Sequence, residues 1–290
     1  MDQALQHLVN GTVLGGTYAL LGIGLTLVFG VMRVVNFTHG ELYAFGAYMA
    51  YALVSLAGVN FFAAIALATL AGVALGALLE LVLLRRMRGA DIDSVMLVMI
   101  GAALVLQNGQ MWIWGGVAKL IPNPFPGSPL IFDPVSVLPL RLFVLATAAA
   151  LLLGFWLALD RTRAGMAMRA TFQDPQTAAL MGVRIGWVNT ATFALGSGLA
   201  AASGALLGPV FMVSPTMGDL VGLKAFAIVI LGGLGSLPGA TLGGFALGFV
   251  EEFAGGYLST EYRDAFGFLL IILVLALKPQ GLVPAKERIG

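Results

Sequence analysis

No cysteine occurs among the 290 residues, which excludes disulfides, thiolate chemistry and cysteine-ligated metals. Charge is nearly as scarce: 10% of the residues are Asp, Glu, Lys or Arg, where soluble domains carry roughly 25%. The net charge of +1 leaves neither a nucleic-acid footprint nor a funnel for acidic substrates. The strict apolar/polar alternation of membrane barrel strands is missing. No GxxxxGK[ST] sequence occurs, so the chain is expected to have no nucleotide site of its own, no cofactor and no covalent chemistry. The opening MDQALQHLVN lacks the Lys or Arg of a cleavable signal, and the amino terminus is read as mature.

What is abundant is apolar. Hydrophobic residues make up 59% of the chain, and the mean hydropathy is +0.97. Runs of roughly 20 apolar residues suit helices crossing a hydrocarbon layer about 30 Å thick. The expected fold is therefore an all-α, polytopic transmembrane bundle, a single transmembrane domain over residues 1–290. Spans are expected near 9–32, 39–58, 61–84, 94–115, 138–159, 187–212 and 265–278. Residues 222–254 would be about 50 Å long as one helix, too long for a single crossing. Gly235, Ser236, Pro238 and Gly239 supply a break, so two crossings or half-crossings should meet at GSLPG, for a total of about eight or nine segments.

Basic residues cluster at Arg85, Arg86 and Arg88, at Arg161, Arg163, Arg169 and Arg184, and at Lys278, Lys286 and Arg288. By the positive-inside rule these clusters face the cytoplasm, with Lys119, Arg141, Lys224 and Arg263 opposite and Arg33 at the inner end of the first span. The Pro/Gly-rich loop 123–136 then lies outside. An odd count of nine crossings puts the amino terminus outside as well, and an even count would put it inside.

Small residues spaced by four, Gly196/Ala200/Gly204/Gly208 and Gly235/Gly239/Gly243, predict close helix packing in lipid. In NFTHGE (36–41), Thr38 and Glu41 have the spacing of a capping box that would start the second span and leave His39 near the membrane interface. The other reading gives Asn36, His39 and Glu41 a part in gating or the pathway. Lys224 should lie near Glu251 and Glu252, as a structural bridge or as the lining of an outer vestibule for a zwitterion. Glu80 should pair inside, near Arg85 and Arg86. Gln107, Asn108 and Gln110 bond across helices or line a pore. His7 is read as a surface residue.

The stretch RATFQDPQTAALMGVR (169–184) raises the sharpest question. Asp174 and Pro175 start a helix, the carboxylate capping orphan amides and the proline needing no donor. Gly182 ends it in the left-handed position. The intervening residues make about two turns, roughly 10 Å, with Ala178, Ala179, Leu180 and Met181 as an apolar knob. This knob is either a docking element for another protein or a helix resting on the bilayer.

This loop, NFTHGE, the stretch GLKAFAIVILGGLGSLPGA (222–240) and the tail LSTEYRD (258–264) together resemble LivH-type permease subunits of branched-chain amino-acid ABC importers, from about Gly11 to Gly281. The resemblance implies a bacterial inner-membrane subunit forming half of a translocation pathway beside a LivM-type permease. It also implies two cytosolic ATPases of LivG and LivF type and a periplasmic or tethered substrate-binding protein. On it, the residues coupled to an ATPase are Arg169, Asp174, Pro175, Ala178, Ala179, Met181 and Gly182; the polar and helix-break positions Asn36, His39, Glu41, Lys224, Gly235 and Pro238 are the possible pathway or gating residues. Urea and short-amide permeases share much of the pattern. The rival classes are a secondary transporter, expected to carry ionisable residues mid-span where this chain keeps nearly all of them at span ends, and a passive channel.

Overall fold

The computed structural model describes residues 2–125, 128–132 and 135–283. Lys286, Arg288 and, within the 123–136 loop, Pro126, Gly127, Asp133 and Pro134 lie outside the described residues. Eleven α-helices follow one another among the described residues: α1 (Asp2–Met32), α2 (His39–Tyr51), α3 (Phe61–Val82), α4 (Ile92–Trp114), α5 (Pro139–Arg161), α6 (Arg163–Gln173), α7 (Pro175–Leu180), α8 (Ile185–Leu207), α9 (Met217–Gly232), α10 (Leu237–Tyr257) and α11 (Arg263–Leu277). A short hairpin, β1 (Leu130–Phe132) and β2 (Val135–Val137), pairs antiparallel with Leu130 opposite Val137. The sequence reading had this segment as loop.

Five helices (α1, α3, α4, α5 and α8) are long and apolar enough to cross a membrane, and the chain is a multi-pass membrane protein. Within the bundle α1 and α8 form the centre. Their most apolar windows are 94% and 83% buried, against 28% for α3 and 17% each for α4 and α5. A helix apolar all round belongs in such a centre, while α4 and α5 keep broad apolar faces for lipid or for another chain.

Small residues let the central helices meet. A methyl on Gly196 would stand 2.7 Å from the Gly24 carbonyl oxygen, and Gly46 and Gly204 bring α2 against α8 backbone to backbone. The second predicted stripe is only partly a stripe. Gly235 lies outside any helix at φ 79°, whereas Gly239 and Gly243 do pack against α9.

The two ends of the bundle are chemically distinct. At one end Arg88 donates to the Gly186 carbonyl (3.4 Å), bringing the α3–α4 turn to the start of α8. At the other, the Ser136 amide donates to Gln6 Oε1 (3.0 Å), Lys119 bridges Val213, and Arg263 pairs with Glu252 (2.9 Å). The described basic clusters gather at the first end, called here the basic end. The amino end of α1 lies at the far end. His7 is half-buried there beside Glu252, Phe253 and Tyr257, not free on the surface.

Candidate functional site

The basic-end element is built as its local signals require, with one addition. The Asp174 carboxylate accepts from the amides of Gln176 (2.8 Å) and Thr177 (3.2 Å) and from the Thr177 hydroxyl, and these bonds hold it below the usual carboxylate range. Pro175 occupies the first turn, and Gly182 stands at φ 88°. Ala178 is buried and anchors α7. Leu180 and Met181 are 88% and 82% exposed, so two large apolar side chains project from the most polar end of the molecule. The addition is α6, an amphipathic helix missed between the span and the knob. Its Thr162 cap accepts from the Gly165 amide (3.0 Å). Arg169 turns back to donate to the Leu159 carbonyl (2.5 Å) and to Asp160 Oδ1 (3.1 Å), so its guanidinium closes the end of α5.

The helix break lies slightly earlier than expected. Gly233 (φ 108°) and Gly235 (φ 79°) make the turn, Ser236 caps α10 by accepting from the Gly239 amide (3.1 Å), and Pro238 and Gly239 belong to the first turn of α10. Pro is suited to that position, so it starts the second helix and does not break the first. The last carbonyls of α9 are met from a distance, by the amides of Leu282 (2.8 Å to Leu231) and Val283 (3.0 Å to Gly232). Gly235, Ser236 and Pro238 line a mainly apolar 420 Å³ cavity at the basic end, with Thr26, Arg169 and Phe172.

The NFTHGE expectation fails in an instructive way. Thr38 has near-helical angles (φ −76°, ψ −4°) and makes no cap bond. Its hydroxyl (2.6 Å) and its amide (3.1 Å) both donate to Asn36 Oδ1, an Asx turn that directs the hydroxyl back to Asn36 and not forward to the third helical amide. His39 is fully buried, with Nε2 donating to the Leu21 carbonyl at 2.9 Å. Leu21 is about 16 Å along α1 from its basic end, so α2 begins deep in the bundle and residues 33–38 fill the space below it. Such non-helical backbone is tolerated at depth because protein surrounds it.

Beyond His39, Glu41 approaches Gly218 of α9, and Gln110 of α4 donates to the Glu41 carbonyl at 3.2 Å. Gln107 donates to Asp219 Oδ2 at 2.7 Å on an exposed face, whereas Asn108 bonds only its own helix, at Leu104. On another face of α9, Lys224 Nζ donates to Tyr18 Oη (3.0 Å) and Glu251 Oε2 (2.9 Å) and forms an ion pair with Asp264 Oδ1 (2.7 Å). This knot joins α1, α9, α10 and α11 and borders a 400 Å³ cavity, with apolar walls from Leu207, Met217, Leu220 and Val221. Glu252 pairs with Arg263 and not with Lys224. Glu80 is fully buried and accepts from Arg88 (2.7 Å) and from the Thr190 hydroxyl (2.5 Å), so its partner is neither Arg85 nor Arg86. Among the described residues Glu41, Glu80, Lys224 and Glu251, together with the imidazole of His39, are therefore buried among the helices, more than a reading confined to span ends anticipates. Tyr18 and Asp264 were the parts of the Lys224 site that sequence reasoning missed. Neither carries a local signal.

Comparison with known proteins places these features in a family. The model of the branched-chain amino acid transport system permease component matches residues 7–275. The high-affinity branched-chain amino acid transport system permease protein BraD of Pseudomonas aeruginosa is 34% identical, over 98% of this chain and 96% of its own. LivH of Escherichia coli, described in the same words, is 33% identical with the same coverage. Among solved structures, PsaBC from Streptococcus pneumoniae in complex with Fab aligns with a TM-score of 0.51 over 95% of this chain and 92% of that one. At 13% identity that likeness speaks for the fold alone.

Proposed function

The chain belongs to the branched-chain amino acid transport permease family, and from that premise we propose that it is one permease subunit of an ATP-driven importer of branched-chain amino acids in the bacterial cytoplasmic membrane. Residues 1–290 act as one transmembrane domain and supply half of the pathway. The basic end faces the cytosol. A LivM-type permease forms the other half, LivG- and LivF-type ATPases bind beneath, and a periplasmic or tethered binding protein delivers the substrate at the far end. ATP is bound and hydrolysed on the partners, in keeping with the lack of a GxxxxGK[ST] sequence in this chain.

The observation that carries the reading is α7. Two exposed apolar side chains on a helix capped at both ends, buried only at Ala178, suit insertion into a cleft of an ATPase. Six residues do not make a stable helix alone, so the caps, α6 and a docking partner share the task. Arg169 contributes by fixing α6 to α5, which would transmit motion at α7 to the membrane helices. Asn36 and His39 act as packing groups of the α1–α2 crossing, leaving Glu41 and Lys224 as the polar candidates for the pathway. The Gln107–Asp219 pair, exposed at membrane depth, suits a surface covered by the second permease or wetted by the pathway.

One observation favours a second reading. Buried Lys224 and Glu251 on the two helices flanking a break are groups that a secondary transporter would use to couple an ion. Purified complex in liposomes separates the two: leucine uptake should require internal ATP and the co-purifying ATPases. Uptake driven by an ion gradient without ATP would overturn the proposal in favour of the second reading.

A further inference from the structure

We infer that the 400 Å³ cavity beside α9 is a binding site for a zwitterionic aliphatic amino acid, with Asp264 receiving its ammonium group and Lys224 its carboxylate. The choice of ligand rests on the transport reading above. Lys224 donates to Tyr18 and to Glu251 and is ion-paired with Asp264, its Nζ 2.7 Å from Oδ1. Two of these partners are held in the bundle, Tyr18 at 6% exposure and Glu251 at 1%. Asp264, in the first turn of α11, has a side chain 39% exposed and is the one that solvent reaches.

A zwitterion carries the same two charges as the pair it would open. Its carboxylate replaces Asp264 on Lys224, and the released Asp264 takes the ammonium, so no charge is left buried without a partner. A lone carboxylate would add an anion beside Asp264 and Glu251, and a lone ammonium would add a cation beside Lys224 and Arg263, whereas a zwitterion leaves the charge of the cavity unchanged. The arrangement therefore selects for both charges together. Leu207, Met217, Leu220 and Val221 offer an aliphatic side chain the remaining wall, and the volume lies within the range of small-molecule pockets, about 300–1,000 Å³. Arg263, paired with Glu252 at 2.9 Å, closes the rim.

The absence of cysteine makes the test direct. Ser214 lines the cavity, and S214C in the assembled transporter, in nucleotide-free liposomes, gives this chain a single thiol, whose labelling by a water-soluble maleimide is read on this chain after the subunits are separated. Leucine at about ten times its dissociation constant should slow labelling about tenfold, since occupancy sets the factor. Leucinol, with the ammonium alone, and 4-methylpentanoate, with the carboxylate alone, should not protect. Asp264→Asn, which leaves Lys224 its other two acceptors, should abolish protection by leucine. Protection by either single-charge analogue, or none by leucine in a complex that imports leucine with ATP, would overturn this site and leave the transport reading intact. Protection in a complex that imports no branched-chain amino acid would retain the site and remove that reading instead.

Discussion

Gly204 and Gly101 are both helical glycines, and replacing each by alanine should change stability in opposite directions. In a helix interior alanine is favoured over glycine by about 0.8–1 kcal/mol. A methyl on Gly101, on exposed α4, would have no heavy atom within 4 Å, so Gly101→Ala should gain that amount. A methyl on Gly204 would meet the Tyr43 carbonyl oxygen, with the carbonyl carbon at 2.8 Å and the Ala47 amide nitrogen at 3.2 Å. These are backbone atoms of α2 and no rotamer change removes them. Carbon contacts settle at about 3.5–4.0 Å, so α2 must back away from α8 by most of an ångström. Gly46, pressed against the Ala201 backbone, resists the movement. Overpacking of this kind costs about 1–3 kcal/mol, the rigid obstacle favouring the upper part of the range, and outweighs the gain in propensity.

Unfolding of the purified chain in detergent, followed through its four tryptophans at one fixed heating rate, would read the difference. With 1 kcal/mol shifting the midpoint by about 2–4 °C in chains of this order, Gly101→Ala should rise by that much and Gly204→Ala fall by at least as much. A fixed rate keeps the comparison sound even where unfolding is irreversible. If Gly204→Ala raised the midpoint as Gly101→Ala does, the close α2–α8 approach would be refuted.

Ala179→Arg tests the docking role of α7. The position is exposed and arginine is a good helix former, so insertion should be normal, whereas an unpaired charge in an ATPase cleft should cost several kcal/mol and abolish co-purification and uptake. Normal ATP-driven uptake in this variant would remove the coupling role. Asp174 predicts a pH profile: its folded pKa is depressed below the ordinary value of 3.8, first by the Thr177 hydroxyl and then by the Thr177 and Gln176 amides. Its contribution is therefore complete above the unfolded pKa and lost as pH falls through the folded one. Binding of the ATPases should be flat between about pH 5 and 8 and weaken only in stronger acid. Asp174→Asn should retain binding and Asp174→Ala should lose part of it, both measured by pull-down across the pH series.

The contrast between α7 and NFTHGE shows which physics a sequence exposes. The ends of α7 rest on groups within the segment itself: Asp174 reaches amides two and three residues on, and Gly182 needs only its own freedom at φ 88°. The long apolar runs are equally self-contained, because the requirement for about 20 residues comes from the bilayer and not from any neighbour. Thr38 and Glu41 have the right spacing for a capping box, but each found a competitor. Asn36, two residues back, takes the Thr38 hydroxyl, and the Glu41 segment is met by Gln110, 69 residues away. The Lys224 site extends the same point, since Tyr18 lies 206 residues from the ammonium it accepts from. Lys224, Glu251 and Glu252 could be grouped because the two helices around a glycine-rich break must run in opposite directions. Which carboxylate faced Lys224, and which of its partners solvent could reach, was decided by how α1 and α11 pack against that pair. A site whose members come from four helices becomes visible only when the backbones do, and α6 stayed hidden for a related reason: its amphipathic face gains meaning only from the ends of α5 and α8 on which it rests.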